Sequence, residues 1–97
     1  MAFKVIVTTP AKHDIFKALD WYESRQPGLG NRFYQSYSDV ISYIKTNPEL
    51  FNIKYNNYRE AKLQDFPYVV IFEISYDVAY VYAIFNTHKN PGKKPNK

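Results

Sequence analysis

Tyr68–Ser75, YVVIFEIS, followed after Tyr76-Asp77 by Val78–Phe85, VAYVYAIF, is the stretch that decides the fold. Both runs are dense in β-branched and aromatic residues, and only two residues separate them. They therefore read as an antiparallel hairpin. Alternation along the first run puts Val70, Phe72 and Ile74 on one side and Val69, Ile71 and Glu73 on the other. Glu73 belongs in water, so the Val70 side is the one expected against a second layer. On the return run, Tyr80 and Tyr82 alternate with Val81, Ala83 and Phe85. Just upstream, Tyr58–Leu63 also alternates, with Ala61 and Leu63 inward and Glu60 and Lys62 outward. Gln64-Asp65-Phe66-Pro67 turns the chain between those runs. The face away from the core is thus expected to carry Glu60, Lys62, Glu73, Tyr80 and Tyr82, a polar, Tyr-rich surface.

Towards the N-terminus the apolar period changes from two to 3.6. Ile15, Ala18, Leu19 and Tyr22 fall on one helix face, with Phe16 and Trp21 widening the stripe. Thr9-Pro10 reads as the N-cap and first turn of this helix, and Arg25-Gln26-Pro27-Gly28 ends it. Leu29, Phe33, Tyr37, Val40, Ile41 and Ile44 then keep helical spacing until Asn47-Pro48 stops them. The short link makes the two helices an antiparallel hairpin. Phe3–Thr8 is an N-terminal strand, and residues 49–57 read as a loop with an Asn-Asn turn. The order β-α-α-β-β-β implies an α+β fold of two layers. A helical hairpin packs on one face of a sheet whose last three strands are antiparallel.

Ninety-seven residues suffice for one domain, assigned to 1–90, with 91–97 as a flexible basic tail. A 45% apolar fraction with ten Tyr, seven Phe and one Trp excludes a disordered chain. The absence of Cys excludes disulfides, thiolate metal sites and a Cys nucleophile. His13, His88 and scattered carboxylates show no ligand spacing, so neither a metal nor another cofactor is expected. No apolar run is long enough for a membrane span or signal peptide, which makes the expected location cytoplasmic. Residues 1–84 balance nine basic against nine acidic groups, so the net charge of +4 resides in Lys89, Lys93, Lys94 and Lys97. A neutral body with a basic arm suits a polyanion or an acidic protein partner.

Several motifs then fall in one register. Trp21-Tyr22-Glu23 followed by Pro27-Gly28-Leu29-Gly30-Asn31-Arg32-Phe33 resembles the W-Y-E…P-G-L-G-x-R-F stretch of RelE/ParE-type toxins, the toxic halves of bacterial type II toxin–antitoxin pairs. Asn47-Pro48-Glu49-Leu50-Phe51 resembles the family's helix stop. Arg59, Leu63 and Phe66-Pro67-Tyr68 resemble its strand–turn–strand, and Phe85 to Pro91, FNTHKNP, its closing strand and basic segment. The resemblance spans roughly residues 3–91 and implies the β-α-α-β-β-β fold.

It also implies a function. RelE-like members cleave mRNA on the ribosome without a metal, and ParE-like members poison DNA gyrase. Cleavage requires an activated 2′-hydroxyl, a stabilised phosphorane and a protonated leaving oxygen, which basic side chains and a neutral-range acid–base can supply. The candidates are Lys62, His88, Lys89 and Arg59, with His88 the group suited to titrate near pH 7. His13, in the first helical turn, reads as a surface residue. The expected activity is cleavage of ribosome-bound mRNA, with gyrase inhibition or an inactive, antitoxin-binding member as alternatives. Val69 and Glu60 stand where the ribonucleases carry basic residues, and His88-Lys89-Asn90-Pro91 lacks their Arg pair. The implied partners are an acidic antitoxin together with ribosome and mRNA, or gyrase. Arg25, Arg32 and the Lys tail are available to the antitoxin's acids.

Overall fold

The computed structural model describes residues 3–88. Strand β1 (Lys4–Val7) leads into α1 (Thr9–Arg25) and α2 (Leu29–Thr46), and a single 3-10 turn (Pro48–Leu50) follows. Strands β2 (Ile53–Tyr55), β3 (Tyr58–Lys62), β4 (Tyr68–Ser75) and β5 (Val78–Asn86) complete the described chain. The sheet runs β1-β5-β4-β3-β2, with β1 parallel to β5 and the other pairs antiparallel. Lys89, Asn90 and the 91–97 tail lie outside the described residues.

Two expectations are corrected together. The sheet is mixed, and residues 53–55, read as loop, form a fifth strand hydrogen-bonded to β3 across the Asn56-Asn57 turn. Both corrections share a cause. If every connection reverses the chain, six elements leave the first and last antiparallel, whereas seven leave them parallel. The short strand changes that parity.

Helix α1 begins one residue earlier than expected. Thr8 is the N-cap, and its hydroxyl accepts the Ala11 N–H. The same hydroxyl donates to the Val81 carbonyl at 2.9 Å, and the Thr8 N–H does so at 3.0 Å. Thr8 therefore caps the helix and clasps β5 at the point where β1 stops. One turn on, the Asp14 carboxylate accepts the outward N–H of Ile84 at 3.0 Å. Helix α1 thereby satisfies the strand edge that β1 no longer covers.

The expected stripe of α1 faces the core through Ile15 and Ala18, joined by the partly buried Leu19 and Tyr22. Phe16 and Trp21 do not widen it: they are 62% and 41% exposed. Phe16 lies about 100° round the helix from Ile15, beyond the contact arc. Trp21 instead carries the Arg25 guanidinium 4.6 Å from its ring centroid. On α2, Phe33, Tyr37, Val40 and Ile44 pack against Ala61, Val70, Phe72 and Val81 of the sheet. At one end of this core, Tyr22, Phe33, Phe66 and Tyr68 form an aromatic cluster, with Phe33 centroids 5.3 Å from Phe66 and 5.2 Å from Tyr68.

Glu23 fixes the angle of the helical hairpin. Its carboxylate accepts the N–H of Gly28 at 3.0 Å and of Gly30 at 3.0 Å, an anion held against the start of α2. Gly28 sits at φ 89°, and a Cβ on Gly30 would meet the Leu19 carbonyl at 3.0 Å. The Pro-Gly-Leu-Gly run therefore supplies a left-handed link and room for close helix contact.

Among the described residues, three non-glycine residues have positive φ: Asn56 at 52°, Asp65 at 70° and Tyr76 at 56°. Asn and Asp tolerate this region through short polar side chains, whereas an aromatic residue gains nothing comparable there.

Glu23→Ala should lower stability by about 1 kcal/mol, seen as a fall in Tm of about 4–8 °C. The Tyr37 phenol is pushed up to about 12, first by burial and then by neighbouring Tyr34. The folded state thus favours protonated Tyr37. Its contribution is complete below pH 10 and is lost as pH rises from 10 towards 12, at up to about 1.4 kcal/mol per pH unit. Tyr37→Phe should flatten that alkaline limb in urea titrations followed across pH.

Candidate functional site

The sheet face away from the helices is shaped by one extra residue. Phe72 pairs with Val81 and Ile71 with Ala83, leaving Tyr82 without a partner position on β4. This bulge turns Ala83 and Phe85 to the open side, contrary to strict alternation with Val81. Ala83 joins Val69 and Ile71 in a small second core, with Tyr58 and Phe85 packed against it. Ala79, Val81 and Ile84 remain against the helices.

Polar groups surround this patch. The Tyr82 hydroxyl donates to Glu73 Oε1 at 3.1 Å, and its ring meets that of Tyr58 edge-on at 5.6 Å. Burial, followed by the bond to Glu73, raises the Tyr82 phenol above its ordinary range. Tyr82 is therefore a neutral donor holding a carboxylate. Tyr55, paired with Tyr58, extends the aromatic row to the free sheet edge. The expected surface of Glu60, Lys62, Glu73, Tyr80 and Tyr82 is present, with Tyr55, Tyr58 and Phe85 added. The register of the missed strand accounts for Tyr55 and the bulge for Phe85, while Tyr58 follows from its alternation with Glu60 and Lys62.

The expected catalytic residues do not all meet. Lys62 is exposed at the end of β3, paired with Val69, which in turn pairs with Phe85. His88 is exposed just beyond β5 at the same end of the sheet, its backbone N–H bonded to Asn86 Oδ1 at 2.9 Å. Two strand spacings, about 10 Å, separate these strand ends. Arg59 pairs with Phe72 and so shares the helix side of the sheet. Its guanidinium Nη1 donates to the Phe51 carbonyl at 2.7 Å and lies 3.4 Å from that of Glu49. Arg59 ties the segment after the 3-10 turn to β3 and stands on the opposite face from Lys62. Lys89 lies outside the described residues.

A groove of about 340 Å³ lies between α2 and β3, lined by Arg32, Val40, Tyr43, Phe51, Lys62 and Asp65 among others. The Leu63 N–H bonds back to Tyr68 on β4, so the main-chain groups of Lys62 point the other way. β2 pairs as far as Arg59, so Lys62 lies beyond its last partner, beside the groove. No sequence signal marks such a groove, because it arises from where β2 stops. Among the described residues, no three His, Asp or Glu side chains gather as metal ligands. Among the described residues, no helix is long and apolar enough to cross a membrane.

A family model described as the ParE toxin of the type II toxin–antitoxin system parDE matches residues 5–91. The chain is similar in fold to a solved structure titled as the chromosomal ParDE toxin–antitoxin system from P. aeruginosa, with a TM-score of 0.78 at 13% identity. That alignment covers 88% of this chain and 96% of the other. No curated protein matches.

Arg59→Ala should leave two carbonyls poorly satisfied and lower stability by about 1–3 kcal/mol. Lys62→Ala should stay within about 0.5 kcal/mol of the parent. Urea denaturation of the two variants side by side checks this contrast.

Proposed function

The chain belongs to the ParE toxin family of type II toxin–antitoxin systems, and from that premise we propose that it arrests growth by binding DNA gyrase rather than by cutting mRNA. The observation carrying this reading is the dispersal of the cations. Charge on a phosphorane is stabilised by basic groups converging on one point. Here the Arg59 guanidinium is occupied by main-chain carbonyls on the helix side. The open face carries two acids, Glu60 and Glu73, beside Lys62 and a row of tyrosines. A neutral, aromatic surface is better suited to a protein partner than to a polyanion. This reverses the expectation of a ribonuclease and favours its alternative. Lys62 and His88 become exposed residues at one end of the sheet, available for contact without forming an acid–base pair.

The counterpart of such a toxin is an antitoxin. On this reading an extended antitoxin segment lies in the groove between α2 and β3, where Arg32 and Lys62 can meet its acids. Toxin and target meet in the cytoplasm.

Induced expression without antitoxin, with pulse-labelling of DNA and protein in one culture, tests the target. DNA synthesis should stop first, and the purified protein should inhibit supercoiling by purified gyrase. If protein synthesis stops first while supercoiling is untouched, the gyrase reading fails and Lys62 and His88 return as ribonuclease residues to be tested.

A further inference from the structure

We propose that Tyr76, at the tip of the β4–β5 hairpin, is the aromatic anchor by which this toxin enters an apolar pocket on its folded protein target. The proposal rests on the reading of the chain as a toxin with a protein target.

Two independent observations converge on this residue. The first is exposure: Tyr76 is 97% exposed, the highest value among the large exposed hydrophobic residues. Tyr43, at 64%, lines the groove beside Val40 and Phe51, whereas Tyr76 sits on the turn between β4 and β5. The second is backbone conformation. Tyr76 has φ 56°, in the left-handed region, at a two-residue hairpin turn where Gly or Asn would fit without strain. The other two non-glycine residues with positive φ are Asn56 and Asp65, both of the tolerant kind. Tyr76 thus departs from the turn chemistry that the rest of the chain follows, and its ring returns no packing to the fold. A residue that serves neither the turn nor the core is accounted for by something outside the chain.

The turn is also well held. Ser75 pairs with Val78 across it, and the Asp77 carbonyl accepts the Lys4 N–H at 3.0 Å from β1. The tip is therefore tied to two neighbouring strands, and the ring is presented from a fixed base. A pre-positioned tyrosine has few rotatable bonds to immobilise and a hydroxyl to donate at the bottom of a pocket, the profile of a binding hot spot.

A convex single ring calls for a concave, preformed site. An antitoxin bound as an extended segment instead uses grooves and strand edges, which this chain offers beside β3. Tyr76 is therefore assigned to the target.

The test uses the full-length protein carrying Tyr76→Asn, with Tyr76→Phe as the conservative variant. Asn tolerates the left-handed turn, so the Tm of Tyr76→Asn should equal or exceed that of the parent. Induction of Tyr76→Asn should no longer arrest growth, and any inhibition of purified gyrase should weaken about thirtyfold or more. Tyr76→Phe keeps the ring and should keep most of the arrest. Both variants should still co-purify with the antitoxin encoded beside the toxin. Full growth arrest by folded Tyr76→Asn would overturn the proposal, as would loss of the antitoxin along with the arrest. Growth arrest that depends on Tyr76 but leaves gyrase untouched would support the anchor and refute gyrase as its pocket.

Discussion

The carboxylate of Glu23 on the main chain of Gly28 and Gly30 is the contact on which the rest of the helical layer depends. An antiparallel helix pair can rock about its link, and a short link alone does not fix the angle. Glu23 fixes it by accepting two N–H groups that the start of α2 leaves without intrahelical partners. The neighbouring residue, Tyr22, is then held against Phe33, with the rings stacked at 5.4 Å. Phe66, 4.9 Å from Tyr22, carries the constraint into the β3–β4 turn. A surface carboxylate, two glycines and four aromatic rings thus transmit one alignment from helix to sheet. Residues scattered over Tyr22–Tyr68 in sequence act as a single joint.

The opposite margin of the sheet is organised around one strand end. β1 covers β5 only as far as Val81, and Thr8 and Asp14 then take over its outward main-chain groups. At the same level the bulge at Tyr82 turns the later half of β5 over, moving Ala83 and Phe85 to the open face. The change of edge partner and the change of face occur together. The tyrosine freed of a cross-strand position is the one that holds Glu73. The sheet's aromatic face is therefore a consequence of how the far edge is closed.

Much of this was legible in the sequence because it rests on periodicity. Ile15 with Ala18, Phe33 with Tyr37, and Val70 with Phe72 reach the core as their spacing requires. The Phe66-Pro67-Tyr68 turn is anchored by aromatics, as its composition suggests. Ile53–Tyr55 was hidden because three exposed residues carry no alternation to detect. Its omission alone was enough to hide the parallel pairing of β1. Bulges escape for a related reason: nothing local distinguishes Tyr82 from a regular strand residue, and the shift exists only relative to β4. For the site, Lys62 and His88 could be brought to one end of the sheet by counting strands. The fate of Arg59 could not, since it is decided by carbonyls of a segment whose path follows from β2. Family membership, carried by motifs that shape the fold, was accordingly easier to read than the target.

The parallel seam between β1 and β5 has a consequence for how the protein is made. Thr8 and Val81, its clasp, stand 73 positions apart in the chain. During synthesis the first strand emerges early and must wait, its edge unpaired, until the strand 73 positions later has left the ribosome. Closing so long a loop brings no reward until the last strand is available, which makes the seam a late and slow step. The sheet can then be completed only after β5 has been made, and chains truncated or stalled before it lack the strand that closes it. For a protein that harms its own host, this couples the appearance of a closed fold to the synthesis of β5, an interval in which a co-translated binding partner can already be present.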